Sequence, residues 1–189
     1  MFVQIITGKI SDKAALRARF DDWEQNVGPG AIGALGSTTG VTPDGTGVIV
    51  GRFDTPENAR RNNDRPEQGA WWAETEKVFT GPVTFWDSDD ADVAFGNPSD
   101  DAGFVQLMHY TVTDRARLEA LEKEMTAEIE SARPDVLGGL RAWHNDGTVT
   151  EVIYFTSEAE ARAGEKKELP PEAAEAMQNY MELAQDTTY

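Results

Sequence analysis

Apolar and polar positions along the chain fall into two alternating periods, one of about two residues and one of three to four. The opening run Phe2-Val3-Gln4-Ile5-Ile6 is rich in β-branched residues, and the stretch from Val3 to Ile10 predicts a first strand. Ser11 stands where a helix N-cap belongs. After it Leu16, Phe20, Trp23 and Val27 recur at helical spacing, an apolar stripe that stops at Gly28-Pro29. Two strands then follow around Asp44-Gly45, where glycine supplies the positive φ of a tight hairpin. Thr55-Pro56-Glu57 opens a second helical region with an N-cap and an N1 proline, and Pro66 breaks it. Beyond the break Trp72, Thr75 and Phe79 share a helical face, and Pro82-Val83-Thr84-Phe85-Trp86 forms a last strand. The order is β-α-β-β-α-β, the ferredoxin-like split unit, in the α+β class.

The pattern then repeats. Phe2-Val3-Gln4-Ile5-Ile6 returns as Phe104-Val105-Gln106-Leu107-Met108, and six of the fifteen pairs from Phe2 to Leu16 are identical at this separation of 102 positions. Chance gives about one at ordinary residue frequencies. The same separation joins Asp44-Gly45-Thr46 to Asp146-Gly147-Thr148 and Phe53 to Phe155. Between these blocks, Pro29, Gly33 and Leu35 match Pro134, Gly138 and Leu140 at a separation of 105, which predicts a longer first helix and a shorter hairpin in the second copy. That copy has Thr113 as its first N-cap, the stripe Leu118, Leu121, Met125 and Ile129, a capping box at Ser157 to Glu160, and a proline break at Pro170-Pro171. The chain stops at Thr187-Thr188-Tyr189, about where the last strand should begin, so that strand is expected to be incomplete. The expected organisation is a first unit over 1–87, an acidic linker over 88–103 and a second unit over 104–189. The two units are expected to pair as an intramolecular α/β barrel, in a monomer or a homodimer.

Charge and composition narrow the partners. With 34 acidic and 17 basic residues the net charge is -17, a field that repels phosphate backbones and anionic lipid, so neither nucleic acid nor membrane is expected. The absence of cysteine removes disulfides, thiolate nucleophiles and cysteine-held clusters. No run is long and apolar enough for a membrane span and no basic leader precedes the first strand, which points to a cytoplasmic protein. The acids of the linker lack the glycine and terminal glutamate of a calcium loop and are expected to be solvated.

A unit of this order, with Trp71-Trp72 on the helix before the last strand, resembles the dimeric α/β-barrel superfamily, in particular its antibiotic-biosynthesis-monooxygenase-like branch. The resemblance implies two sheets pressed together as a barrel, a pocket between sheet and helices, and an activity among cofactor-free oxygenases of aromatic polyketides, haem-degrading enzymes or non-catalytic ligand-binding and assembly modules. Haem degradation calls for an asparagine on the first strand with a tryptophan and a histidine on the helices. Here the strand carries Ile6-Thr7, and the first copy has no histidine. A cofactor-free oxygenase must help form a substrate anion and hold it beside oxygen, tasks for Asn, Arg, Trp and Tyr in a dry pocket. No cofactor is expected, and the ligand is expected to be a small aromatic molecule.

The residues of those types set the candidate site. Trp72, Arg52, Asn63 and His109 are the catalytic candidates, and Trp71, Asn62, Arg65 and Tyr154 the substrate-binding ones. Trp71 and Trp72 project about 100° apart on a helix, so one packs in the core while the other can line a pocket. Arg52 shares a strand face with Val48 and Val50, at a pocket mouth or reaching solvent, and Tyr154 is its counterpart. The arginine-rich run from Arg60 to Gln68 draws anions or forms a solvated, ion-paired loop. His109 and His144 lack the spacing of metal ligands, so no metal is expected. Gly28-Pro29-Gly30-Ala31-Ile32-Gly33 matches a dinucleotide-binding glycine pattern, but it ends a helix and leads into a strand, the reverse of the context that motif needs.

Overall fold

In the computed structural model, which describes residues 1–168 and 171–189, the chain forms two compact units, Met1–Asp90 and Ala91–Tyr189. The first runs β1 (Phe2–Lys9), α1 (Lys13–Asp22), β2 (Ala34–Val41), β3 (Thr46–Phe53), α2 (Pro56–Asn63), α3 (Pro66–Thr75) and β4 (Thr84–Ser88). The second begins with β5 (Asp90–Ala94) and continues through β6 (Phe104–Val112), α4 (Arg115–Ala132), β7 (Val136–Trp143), β8 (Thr148–Phe155), α5 (Glu158–Gly164), α6 (Pro171–Leu183) and β9 (Ala184–Thr188). The sheets are ordered β2-β3-β1-β4 and β5-β7-β8-β6-β9, so each unit is ferredoxin-like and the second carries one additional strand. That strand, β5, lies within the stretch expected to be a linker.

Local chemistry explains most boundaries. The first helix of each unit is capped one residue later than expected, by Asp12 and Asp114, whose carboxylates accept from the backbone N–H groups of Ala14 (2.7 Å) and Arg117 (3.1 Å). A carboxylate both accepts from the orphan amides and complements the positive end of the helix, an advantage Ser11 and Thr113 lack. Thr55 and Ser157 cap α2 and α5 as expected. The α1 helix continues as a π turn over Trp23–Val27 and a tight turn over Gly28–Gly30, so the glycine pattern there does close a helix. The last helix ends at Leu183 and Ala184 opens β9. The proline break expected in the second copy starts at Pro170, which lies outside the described residues.

The separation of 105 expected in the middle of the repeat does not occur. In the ladders Thr38 faces Val50 and Leu140 faces Val152, so both strands of each hairpin keep the 102 separation. Gly138 therefore corresponds to Gly36, not Gly33, and both stand at a bulge with positive φ, +159° and +132°. The hairpin turns, Thr42 to Gly45 and His144 to Gly147, have equal length. An offset of three between paired strands is odd and exchanges the faces of every side chain, which a half-buried sheet does not tolerate. The local identities of Pro29, Gly33 and Leu35 with Pro134, Gly138 and Leu140 were outweighed by that constraint. β9 pairs with His109, Thr111 and Val112, whereas β4 pairs with Val3 through Thr7, so the last strands cover different parts of β6 and β1.

Uniform register makes the units comparable position by position. In the first, Ile6 and Ile49 on the sheet pack against Leu16, Phe20, Trp71 and Phe79. In the second, Ile49 becomes Glu151, Phe20 becomes Glu122 and Gly8 becomes Tyr110. Tyr110 and Glu151 are only 2% and 3% exposed. The Tyr110 hydroxyl donates to Glu151 Oε2 at 3.3 Å and lies 2.9 Å from the Tyr180 hydroxyl. Arg141, also buried, pairs with Glu122 and, through Nη2 at 2.7 Å, with Asp92 of β5. One acid of the expected linker thus pairs with a buried cation while its own side chain stays 44% exposed.

Around Glu151 there is more acid than the single arginine neutralises. Its Oε1, and that of Glu122, find no hydrogen-bond partner among the described residues. Burial first, then the charge of Glu122, raises Glu151 from the ordinary 4.5 to about 7, against the opposing pull of Arg141 and the two tyrosines. The folded chain therefore holds a proton that the unfolded chain releases at lower pH, and stability falls as pH rises from about 4.5 through about 7. Urea unfolding over that range is expected to show this decline for the parent and none from this source for Glu151→Gln. Equal slopes for the two proteins would contradict the assignment.

Candidate functional site

The helix-side face of the first sheet does not fill completely. A cavity of about 300 Å³ lies between β1, β2, β3, β4 and the helices, wholly within the first unit. That is the lower end of the range for small-molecule sites. Its walls are predominantly aromatic: Phe20 and Trp23 from the first helical segment, Trp71 and Trp72 from α3, Phe53 from β3 and Phe85 from β4. Its floor is thin at Gly51, which presents no side chain there.

The tryptophans divide the work as their helical offset requires. Trp71 is 7% exposed, donates its indole N–H to the carbonyl of Arg19 at 2.7 Å, and stacks edge-on against Phe20 with centroids 5.4 Å apart. It is a core residue with one face on the cavity. Trp72 is half-buried, edge-on to Phe85 at 5.4 Å and tilted against Phe79 at 6.2 Å, and its N–H has no partner among the described residues. Trp23 donates to Gln68 Oε1 at 2.9 Å, which ties the end of the first helical segment to α3.

Asn62 is the polar centre of the wall and only 1% exposed. Its Oδ1 accepts from the backbone N–H of Ile32 (3.1 Å) and from Arg65 Nη1 (3.1 Å). Arg65 in turn donates through Nη2 to the carbonyl of Val27 at 3.2 Å. Arg65 is thus a positioning residue behind the cavity, and of the arginine-rich run it is the one that holds the site together. Asn63 and Gln68 also line the cavity.

Arg52 lines the cavity at the bulge. Its Nη2 lies where it would be 2.5 Å from a Cβ on Gly36, and its buried Nε has no hydrogen-bond partner among the described residues. Strand alternation puts it on the face opposite Ile49 and Phe53, as its grouping with Val48 and Val50 implies, and the missing side chain at Gly36 leaves room for the guanidinium at the sheet edge.

Two sequence candidates stand elsewhere. Tyr154 is buried in β8, and His109 sits in β6 on the face opposite Tyr110, its Nδ1 3.1 Å from the Thr150 hydroxyl, which His144 Nε2 approaches at 2.9 Å. Neither lines the first-unit cavity. Sequence reasoning passed over Gln4, Ser37, Gln68 and Phe85, all cavity-lining. Only their placement on the helix-side face or on α3 could have indicated them. Among the described residues no three acidic or histidine side chains gather as a metal site, and no helix is long and apolar enough to cross a membrane.

No family model matches the chain, and no curated protein matches it in sequence. Among solved structures, a provisionally assigned monooxygenase of Fusobacterium nucleatum superposes with a TM-score of 0.74 over 99% of this chain and 88% of its own, at 8% identity. One from Lactobacillus acidophilus gives 0.73 over 99% and 90%, at 11% identity. An anthrone oxidase-like protein gives 0.63 over 99% and 88%, at 8% identity. At such identities the likeness is one of fold, and it extends through both units. The chain therefore shares with these structures a fold of two tandem ferredoxin-like units.

Proposed function

We propose that the first unit is a cofactor-independent monooxygenase acting on a small aromatic, polyketide-like molecule. The observation that carries the reading is the aromatic-walled cavity of about 300 Å³. Flat aromatic walls favour a planar ligand through offset and edge-on stacking. Solved structures sharing the fold bear monooxygenase and oxidase descriptions, which supports the reading without assigning a substrate.

The chemistry such a site can perform uses the substrate's own electrons. An activated C–H beside a phenol or carbonyl loses its proton, and the resulting anion adds to O₂ to form a carbon–oxygen bond. After protonation, the hydroperoxide carbon gives up its second hydrogen as a proton while the O–O bond breaks and hydroxide leaves, the two departing as water and leaving a carbonyl. One oxygen atom enters the product and the other leaves as water, and the carbon supplies all the electrons. In this reading Trp72 stacks on the substrate, Asn62 donates a hydrogen bond to its developing oxyanion and Arg52 provides a positive field at the bulge. Trp71, Asn63 and Gln68 complete the binding wall, and Arg65 holds Asn62 in place.

A second reading, ligand binding without turnover, draws on one observation: no Asp, Glu, His, Lys or Tyr lines the cavity to act as a base. Oxygen uptake with a panel of hydroquinones and anthrone-type substrates separates the two. Uptake by the parent, reduced about tenfold or more in Trp72→Ala, is expected from losing an aromatic contact of this size. Absence of uptake across the panel, or identical rates in the two proteins, would contradict the enzymatic reading.

A further inference from the structure

The polar groups of the cavity are not free to adapt to either kind of ligand. Asn62 Oδ1 is engaged by two groups that can only donate, the Ile32 N–H and the Arg65 guanidinium, so its Nδ2 is the atom left for a ligand. Gln68 is fixed in the same way, because the Trp23 indole N–H can only donate to its Oε1, leaving Nε2. Trp72 and Arg52 also line the cavity, and the buried Nε of the Arg52 cation has no hydrogen-bond partner among the described residues. Gln4 is turned the other way: its Nε2 donates to Asp87 at 3.0 Å, which leaves Oε1 as an acceptor.

A chain with a net charge of -17 thus builds a cavity whose lining contains one arginine and no carboxylate. Charged groups behind that lining include Arg65, on Asn62 and itself 4.0 Å from the exposed Glu67, and Asp87, on Gln4. We infer that the cavity selects a planar aromatic ligand as its oxyanion, the acceptor oxygens toward Asn62 and Gln68 within the positive field of Arg52 at the sheet edge, and any remaining hydroxyl toward Gln4. Since no lining residue accepts a proton, the ligand enters already ionised or loses its proton to water. Acidity of the ligand itself is then a condition of binding, which excludes aromatics that carry only neutral ethers or hydrocarbons.

The inference rests on the cavity being a ligand site, but not on turnover, and binding tests it separately. The probes are an acidic hydroxynaphthoquinone, an anion at neutral pH, and its methyl ether, which has nearly the same shape and no charge. Quenching of tryptophan fluorescence reports occupancy by either. The parent is expected to bind the anion at least about tenfold more tightly than the ether, the scale of one charge-assisted hydrogen bond.

Asn62→Asp retains one oxygen for Ile32 and Arg65 and presents a second, negative one to the ligand, so it should remove that preference or reverse it. Arg52→Gln should reduce the preference by weakening the anion more than the ether. Circular dichroism checks that both variants keep the fold. Equal affinity of the parent for the two probes, or an unchanged preference in Asn62→Asp, would overturn the inference while leaving a ligand site in place. Binding of neither probe would overturn it together with the ligand-site reading itself.

Discussion

The structure depends on one constraint: the helix-covered face of each small antiparallel sheet must be filled by side chains from a fixed set of positions. Register fixes the set, because alternate residues of a strand turn to opposite faces. Both units keep the same register from their first strand through their hairpin. Divergence between them is therefore a matter of what stands at each matched position.

The filling differs at positions that matter. Phe20 and Ile49 in the first unit border the aromatic cavity, with Gly51 leaving the sheet wall thin. Their counterparts Glu122 and Glu151 sit in a buried polar network with Arg141, Tyr110 and Tyr180. Burying such groups is costly unless they are paired, and the network meets most of that cost through two tyrosine hydroxyls, one arginine and Asp92 from the added strand. The same fold thus gives one unit an apolar pocket with directed donors and the other a proton-holding core.

How far this was legible in the sequence follows from the range of each interaction. The β-α-β-β-α-β order was readable because periodicity and turn chemistry are local. The repeat was readable because Phe2-Val3-Gln4 and Phe104-Val105-Gln106 are near-copies. The correspondence of Gly138 with Gly36 is not legible, because short identities around Gly33 favour another match and only the ladder enforces the register. Strand β5 was missed because an acid-rich segment with alternating Ala, Val and Ala carries too little apolar character to distinguish it from a loop. Of the site, Trp71, Trp72, Arg52, Asn62 and Asn63 meet at one cavity, whereas His109 and Tyr154 belong to the other unit. Residue type could nominate them all. Only the sheet could separate them.

Five tryptophans distribute themselves so that one measurement can locate a ligand: Trp23, Trp71 and Trp72 border the cavity, Trp86 lies on β4, and Trp143 packs in the second unit beside Tyr110 and Leu118. Titration of the ¹⁵N-labelled protein with the hydroxynaphthoquinone anion, followed through the five indole N–H resonances, tests whether the first unit alone is the ligand site. The account predicts that Trp72 moves most, that Trp23 and Trp71 follow it, and that Trp143 stays in place. Movement of Trp143 with Trp72 unchanged would contradict it.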